Sequence, residues 1–265
     1  MSTPGEQRIA AAFAGTGKRA ALMPYLMGGF PDLERSRAIG EAAAAAGADM
    51  LELGIPFSDP LADGPVIHDA ATAALAAGAS VGGVLEVASA LARLLPVIVM
   101  SYVNVVLAPG VERFLARLAA AGVSGLIVPD LPVEESGPVA AAAEHAGVAL
   151  VPLVAPTTPD ERLARIGAGA RGFIYVVSVT GTTGERGGGE PGSIAPLLAR
   201  AHAATSVPVA LGFGISTPAQ AAAAARDGAD GVIVGSRLVR AAAEESDPAE
   251  AVGRLVGEFA GALAY

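Results

Sequence analysis

Gly47-Ala-Asp-Met-Leu-Glu-Leu-Gly54 reads as the close of a helix followed by a complete strand: a glycine, two small or polar residues, then an apolar run ending in glycine. Glycine just past a helix takes the left-handed conformation that ends it. A near-continuous apolar run suits a parallel strand covered on both faces. The same unit returns as Gly122-Val-Ser-Gly-Leu-Ile-Val-Pro129, Gly169-Ala-Arg-Gly-Phe-Ile-Tyr-Val-Val177 and Gly228-Ala-Asp-Gly-Val-Ile-Val-Gly235. Runs with less regular entries, Ala21 to Met27, Pro96 to Tyr102, Val148 to Val154 and Val207 to Leu211, bring the predicted strands to eight. Alanine-rich amphipathic stretches lie between them. Asp32, Ser80, Thr158, Ser193 and Thr217 are candidate N-caps, and Ser80 to Leu95 and Val111 to Ala121 carry helical spacing. Such alternation predicts an α/β chain closed into a (β/α)8 TIM barrel, with an extra N-terminal helix. An open doubly wound sheet usually carries a glycine fingerprint after its first strand, and Met27-Gly28-Gly29-Phe30 is not one.

The bulk properties agree. A chain of 265 residues is close to the roughly 250 of one barrel, so 1–265 reads as a single domain. With 52% apolar and 16% charged residues it is no disordered polypeptide. A net charge of −9 and the lack of a basic stripe argue against nucleic acid. The longest alanine-rich stretches, such as Glu41 to Ala48 and Gln220 to Arg226, are interrupted by charges and end in glycine, and none reaches the uninterrupted apolar length of a membrane span. The first residues lack a signal-peptide apolar core, which makes a cytoplasmic location the expectation. Zero cysteines exclude disulfides, thiolate nucleophiles and cysteine metal sites.

Two connections are too long for simple turns: 54–69 after the second strand and 178–192 after the sixth. Both fall at strand C-termini, the end where barrel enzymes place their chemistry. The second is glycine-rich and reads as a mobile lid, with a plain surface insertion as the alternative. Alternation along Asp49 to Gly54 puts Met50 and Glu52 on one face and Leu51 and Leu53 on the other. If Met50 points inward, so does Glu52, and a carboxyl there should have a raised pKa suited to moving protons. The alternative is a structural ion pair, but arginine is scarce in the strand segments. Asp59 and Asp63 sit in a loop stiffened by Pro56, Pro60 and Pro65. An ordered Asp63 could accept a substrate N–H, although an aspartate in such a loop is by itself more often a turn former.

Gly181 to Gly184, Gly212-Phe-Gly-Ile-Ser216 and Gly235-Ser236 read as a phosphate cradle after strands six, seven and eight. Turn geometry alone is the competing account. Lys18, the only lysine, precedes the first strand and disfavours a Schiff-base aldolase. His68, His145 and His202 flank helices and read as surface or packing residues, so no metal is expected. What remains is acid–base chemistry on a small phosphorylated molecule.

Leu51-Glu-Leu-Gly-Ile-Pro-Phe-Ser-Asp-Pro-Leu-Ala-Asp-Gly-Pro65 resembles the signature segment of the tryptophan synthase alpha chain family. Ser101-Tyr-Val-Asn104, Val128-Pro-Asp-Leu-Pro-Val-Glu-Glu135, Thr183-Gly184, Gly212 to Ser216 and Val234-Gly-Ser236 support the resemblance, which runs from about Ile9 to the C-terminus. It implies a lyase that cleaves indole-3-glycerol phosphate to indole and D-glyceraldehyde 3-phosphate, with Glu52 as general acid/base and Asp63 as partner of the indole N–H. It further implies that Tyr175 lines the indole pocket, with apolar contacts from Tyr25, Met100, Ile127, Leu153 and Phe213 and with Tyr102 also at the substrate. Thr183, Gly184, Gly212, Gly214, Gly235 and Ser236 would complete the site at its phosphate end. Asp59, Asn104, Asp130 and Pro132 resemble positions facing a beta chain in an alpha2beta2 tetramer. No cofactor is implied for this chain, because pyridoxal phosphate belongs to the beta chain. Met27-Gly-Gly-Phe-Pro31 and Val179-Thr180 depart from the family's usual residues. A phosphosugar isomerase and a non-catalytic activator of a beta chain are the competing readings.

Overall fold

The computed structural model describes residues 2–177 and 194–265. Its strands are β1 (Ala21–Met27), β2 (Leu51–Gly54), β3 (Val97–Met100), β4 (Gly125–Ile127), β5 (Ala149–Val151), β6 (Leu153–Val154), β7 (Ile174–Val177), β8 (Val209–Gly212) and β9 (Gly231–Val234). All pairings are parallel, in the order β5-β4-β3-β2-β1-β9-β8-β7-β6. The two ends of that order are consecutive in the chain and divided only by Pro152, which has no N–H to donate to a ladder. They are one stave in two pieces, matching the predicted run Val148 to Val154. The Tyr175 N–H bonds the Pro152 carbonyl at 3.0 Å and draws the seam together. Eight staves therefore close the barrel.

Strand alternation separates two cores. Met23, Met50, Ile98, Ile127, Ala210 and Ile233 form the inner cluster. Leu22, Leu51, Leu53, Val99, Val176 and Leu211 face outward onto the helices. Met50 thus lies inside while Leu51 and Leu53 lie outside, as the pattern around Glu52 requires.

The extra N-terminal helix, Pro4–Gly15, starts at a capping box between Thr3 and Glu6 and carries proline in its first turn. It stoppers the N-terminal end of the barrel. Ile9 is fully buried, and the Phe13 and Phe173 rings meet at 5.8 Å. Arg8 donates to the carbonyls of Ala92, Gly122 and Leu95 at 2.6, 2.8 and 3.3 Å, satisfying backbone groups around two helix ends. At the same end Lys18 binds Asp49 at 2.9 Å and the Gly47 carbonyl at 3.1 Å.

The repeat that opened the sequence has a physical basis. Gly47, Gly122 and Gly228 have φ of 105°, 74° and 103° and end their helices left-handed. The fourth unit differs. Gly169 is the last helical residue, Ala170 continues extended, and the positive φ falls at Gly172, 70°. In two units the following aspartate ties neighbouring strands, since Asp49 accepts from the Leu22 N–H at 2.6 Å and Asp230 from the Val209 N–H at 2.8 Å.

Asp32, Ser80 and Thr217 cap helices by accepting the N–H groups of Arg35, Gly83 and Gln220. Thr158 does not. Pro159 holds the cap position, and the Thr158 hydroxyl accepts the Ala155 N–H at 3.0 Å, closing the preceding turn instead. Ser193 lies outside the described residues. The helix predicted over Ser80 to Leu95 ends earlier, at Leu91, and the one predicted over Val111 to Ala121 spans Val111–Ala120. Among the described residues no single helix is long and apolar enough to cross a membrane.

Candidate active site

Parallel register builds the site at the C-terminal rim. Glu52 on β2 lies level with Tyr25 on β1 and Ile98 on β3, each two residues before the last of its strand. It is 0% exposed, and neither carboxylate oxygen has a hydrogen-bond partner among the described residues. Burial first, then the charge of Asp63, pushes its carboxyl up to about 8. Near neutral pH Glu52 therefore holds its proton and is close to releasing it, as a proton shuttle requires. Among the described residues the ion-pair alternative finds no arginine, since Arg171 reaches Glu6 instead, at 3.7 Å.

Asp63 reaches the same cleft from the loop after β2. Burial raises its pKa, while the Tyr102 hydroxyl and then His68 act in the opposite direction. Tyr102 anchors this loop. Its ring stacks on Phe57 with centroids 5.5 Å apart, and its hydroxyl accepts the Ala62 N–H at 3.0 Å. Tyr102 also begins the short helix Val103–Leu107, whose first N–H bonds the Asp130 carboxylate at 2.9 Å. Tyr102 is thus a positioning residue for Asp63. His68, read from sequence as surface or packing, is half exposed yet lies near enough for its charge to bear on Asp63.

The cleft has about 560 Å³ of unfilled space, part of it open to solvent. Met100, Tyr25 and Tyr175 wall it near Glu52. Tyr175 meets Phe213 edge-on at 5.9 Å and 71°. Two glycines make room for the phenols: a Cβ at Gly54 would collide with the Tyr25 hydroxyl, and one at Gly212 with that of Tyr175. At the far end lie Gly214, Gly235 and Ser236. Phe213 and Gly214 both have positive φ, 66° and 80°, which turns the backbone sharply after β8. Gly235 precedes the helix Ser236–Glu244, whose N-terminus carries no side-chain cap and presents N–H groups suited to an anion. Ser216 also lines the cleft, although its N–H and hydroxyl both bond the Gln220 side chain, at 2.8 and 3.0 Å.

Other sequence candidates fall elsewhere. Gly212 contributes by yielding space. Ile127 is buried on the inner face of β4, and Leu153 lies in a wider groove that also takes in Phe213. Thr183, Gly184 and Val179 are outside the described residues. Asp59 and Asn104 are exposed, as is Pro132, whereas Asp130 is half-buried. Ile67 and Ile233 line the cleft and were not picked out from the sequence. Strand parity with Gly231 would have found Ile233; Ile67 had no comparable signal.

A closed parallel barrel whose rim joins a buried protonated carboxyl, a second carboxylate and an uncapped helix N-terminus has the make-up of an acid–base enzyme for a small phosphorylated ligand. The model of the tryptophan synthase alpha chain family matches residues 12–264. A tryptophan synthase alpha chain of Gloeobacter violaceus is 49% identical over 259 residues, covering 96% of this chain and 92% of that one. In structure the chain is similar to a tryptophan synthase chain of Mycobacterium tuberculosis, with a TM-score of 0.90, 38% identity and full coverage of both. A Pyrococcus furiosus chain, described within a tryptophan synthase a2b2 complex, gives 0.82 and 35% over 92% of this chain and 99% of that one. The chain belongs to the tryptophan synthase alpha chain family.

Proposed function

We propose that Glu52 and Asp63 are the groups with which this chain cleaves indole-3-glycerol phosphate to indole and D-glyceraldehyde 3-phosphate, the alpha reaction of tryptophan biosynthesis. The observation that carries this reading is the unpartnered, fully buried Glu52 carboxyl beside Asp63. Protonation of the indole ring at C3 makes an iminium-like ring, which is the electron sink a retro-aldol step needs. The side-chain hydroxyl next to the ring gives up its proton, its carbon becomes the aldehyde, and the electrons of the breaking carbon–carbon bond return to the ring. One proton enters at C3 and one leaves the hydroxyl, so the step balances without a lysine or a metal. Glu52 moves these protons. Ionised Asp63 accepts the indole N–H and stabilises the positive charge that develops there, an effect worth on the order of hundreds-fold in rate. The helix N-terminus at Gly235 and Ser236 holds the phosphate.

The partner in this reading is a beta chain carrying pyridoxal phosphate, in an alpha2beta2 assembly. Support comes from the rim. Leu61 is 82% exposed and Leu107 52%, and they lie two and three residues along the chain from Asp59 and Asn104, on segments that Tyr102 connects to Asp63. The surrounding compartment is the cytoplasm.

The test is indole release from indole-3-glycerol phosphate, with and without beta chain. Indole formation that is stimulated by the beta chain supports both parts of the reading. No indole under either condition rejects the reaction, and equal turnover under both rejects the coupling.

A further inference from the structure

Once Glu52, Asp63 and the helix at Ser236 are assigned, one part of the substrate still lacks a partner among the described residues. The three-carbon chain carries two hydroxyls, and the one at the breaking bond is taken by Glu52. The other must be held in a cleft whose remaining polar side chains are Tyr25, Tyr175 and Ser216, the last already bonded to Gln220, among apolar walls of Ile67, Met100 and Ile233. Burying a hydroxyl without a partner costs binding. The cleft must therefore supply a polar group between Glu52 and the phosphate end.

Tyr25 spans that interval. The base of its ring lies 3.5–3.7 Å from where a Cβ on Gly235 would stand, at the phosphate end. Its hydroxyl lies over Gly54, beside Glu52, with which Tyr25 is in register. The side chain is 8% exposed and fixed between two glycines, so its orientation is set before any ligand arrives. Burial, then the charges of Asp63 and Glu52, raises its pKa well above the ordinary phenol, which keeps it a donor. An apolar contact would use the ring alone and leave the hydroxyl without a purpose.

We propose that the Tyr25 hydroxyl is a specificity-determining donor to the second hydroxyl of the substrate's three-carbon chain. This rests on the reaction proposed above and extends it. A polar wall at this point selects a dihydroxylated chain over its deoxy analogues, because a reduced chain leaves the phenol facing carbon. The same contact fixes the chain's rotation, so that the bond to be broken stands over Glu52.

Binding separates this from ring packing. In a Glu52→Gln background, which stops turnover, affinities are measured by calorimetry for indole-3-glycerol phosphate and for indole-3-propanol phosphate, which lacks both hydroxyls. Adding Tyr25→Phe is expected to weaken the first ligand about 3- to 10-fold, the loss of one neutral hydrogen bond, and to leave the second within about 2-fold. Equal weakening of both ligands, or of neither, overturns the proposal. So does a hydroxyl-dependent loss that follows Tyr175→Phe and not Tyr25→Phe. Cleavage is not needed for these readings, so absence of indole from the unmutated chain would reject the reaction and not this contact.

Discussion

Replacing Glu52 by glutamine keeps the shape of the side chain and removes its titration. In the native chain this carboxyl is fully buried, without a hydrogen-bond partner, and its pKa is pushed up to about 8, against 4.5 when unperturbed. A carboxyl whose folded pKa lies above its unfolded one holds its proton in the folded state after the unfolded state has lost it. Its contribution to stability is complete below about pH 4.5, shrinks as pH rises, and is gone once pH passes about 8. The slope is about 1.4 kcal/mol per pH unit, so between pH 5 and 8 the native chain should lose on the order of 4 kcal/mol relative to Glu52→Gln. Asp63 titrates in both proteins and largely cancels in the difference. Urea unfolding of both at pH 5, 6, 7, 8 and 9 gives the comparison. The variant should be of similar stability at pH 5, clearly more stable from pH 8 upward, and without indole release throughout. Parallel stability curves would mean that Glu52 is already ionised and paired in the folded chain, which would refute the reasoning from its burial.

Asp63→Asn should remain folded and lose about 100- to 1000-fold in kcat for indole release; a loss confined to KM would make Asp63 a binding group only. Tyr102→Phe removes the acceptor of the Ala62 N–H and the contact that lowers the pKa of Asp63. Since Asp63 acts when ionised, the acid limb of kcat/KM should move to higher pH, and an unmoved limb would separate Tyr102 from Asp63. Lys18→Met should cost about 1–3 kcal/mol in unfolding free energy, because Asp49 loses its cation. Indole release per folded molecule should be unchanged, and its abolition would bring amine chemistry back into consideration.

The strand set was legible because all eight staves are short apolar runs, four of them entered through a helix-ending glycine unit, and the inward direction of Glu52 followed from the parity it shares with Met50. What escaped came from contacts between distant segments. No local signal says that Thr158 would turn back to Ala155 and leave the cap to Pro159. None says that Asp49 and Asp230 would reach across to neighbouring strands, because parallel neighbours lie far apart in the chain. The family resemblance puts Tyr102 at the substrate and says nothing of the Asp63 loop. The work of Tyr102 on that loop depends on a stack with Phe57, 45 positions earlier in the chain. The room that Gly54 and Gly212 leave for two phenols is likewise a three-dimensional fact.

Pro152 gives the cylinder a hem. At this stave, as at β1, the pairing changes hands along its length: here the upper half holds β7 and the lower half holds β4. With only two paired residues on β7, this hem is a shorter seam than the four-residue pairing of β2 with β3. The stitch across that seam is donated by Tyr175, the residue whose ring walls the cleft. Any slackening of the hem would therefore shift a wall of the cleft, and amides bordering Pro152 should trade their hydrogens with water sooner than those between β2 and β3.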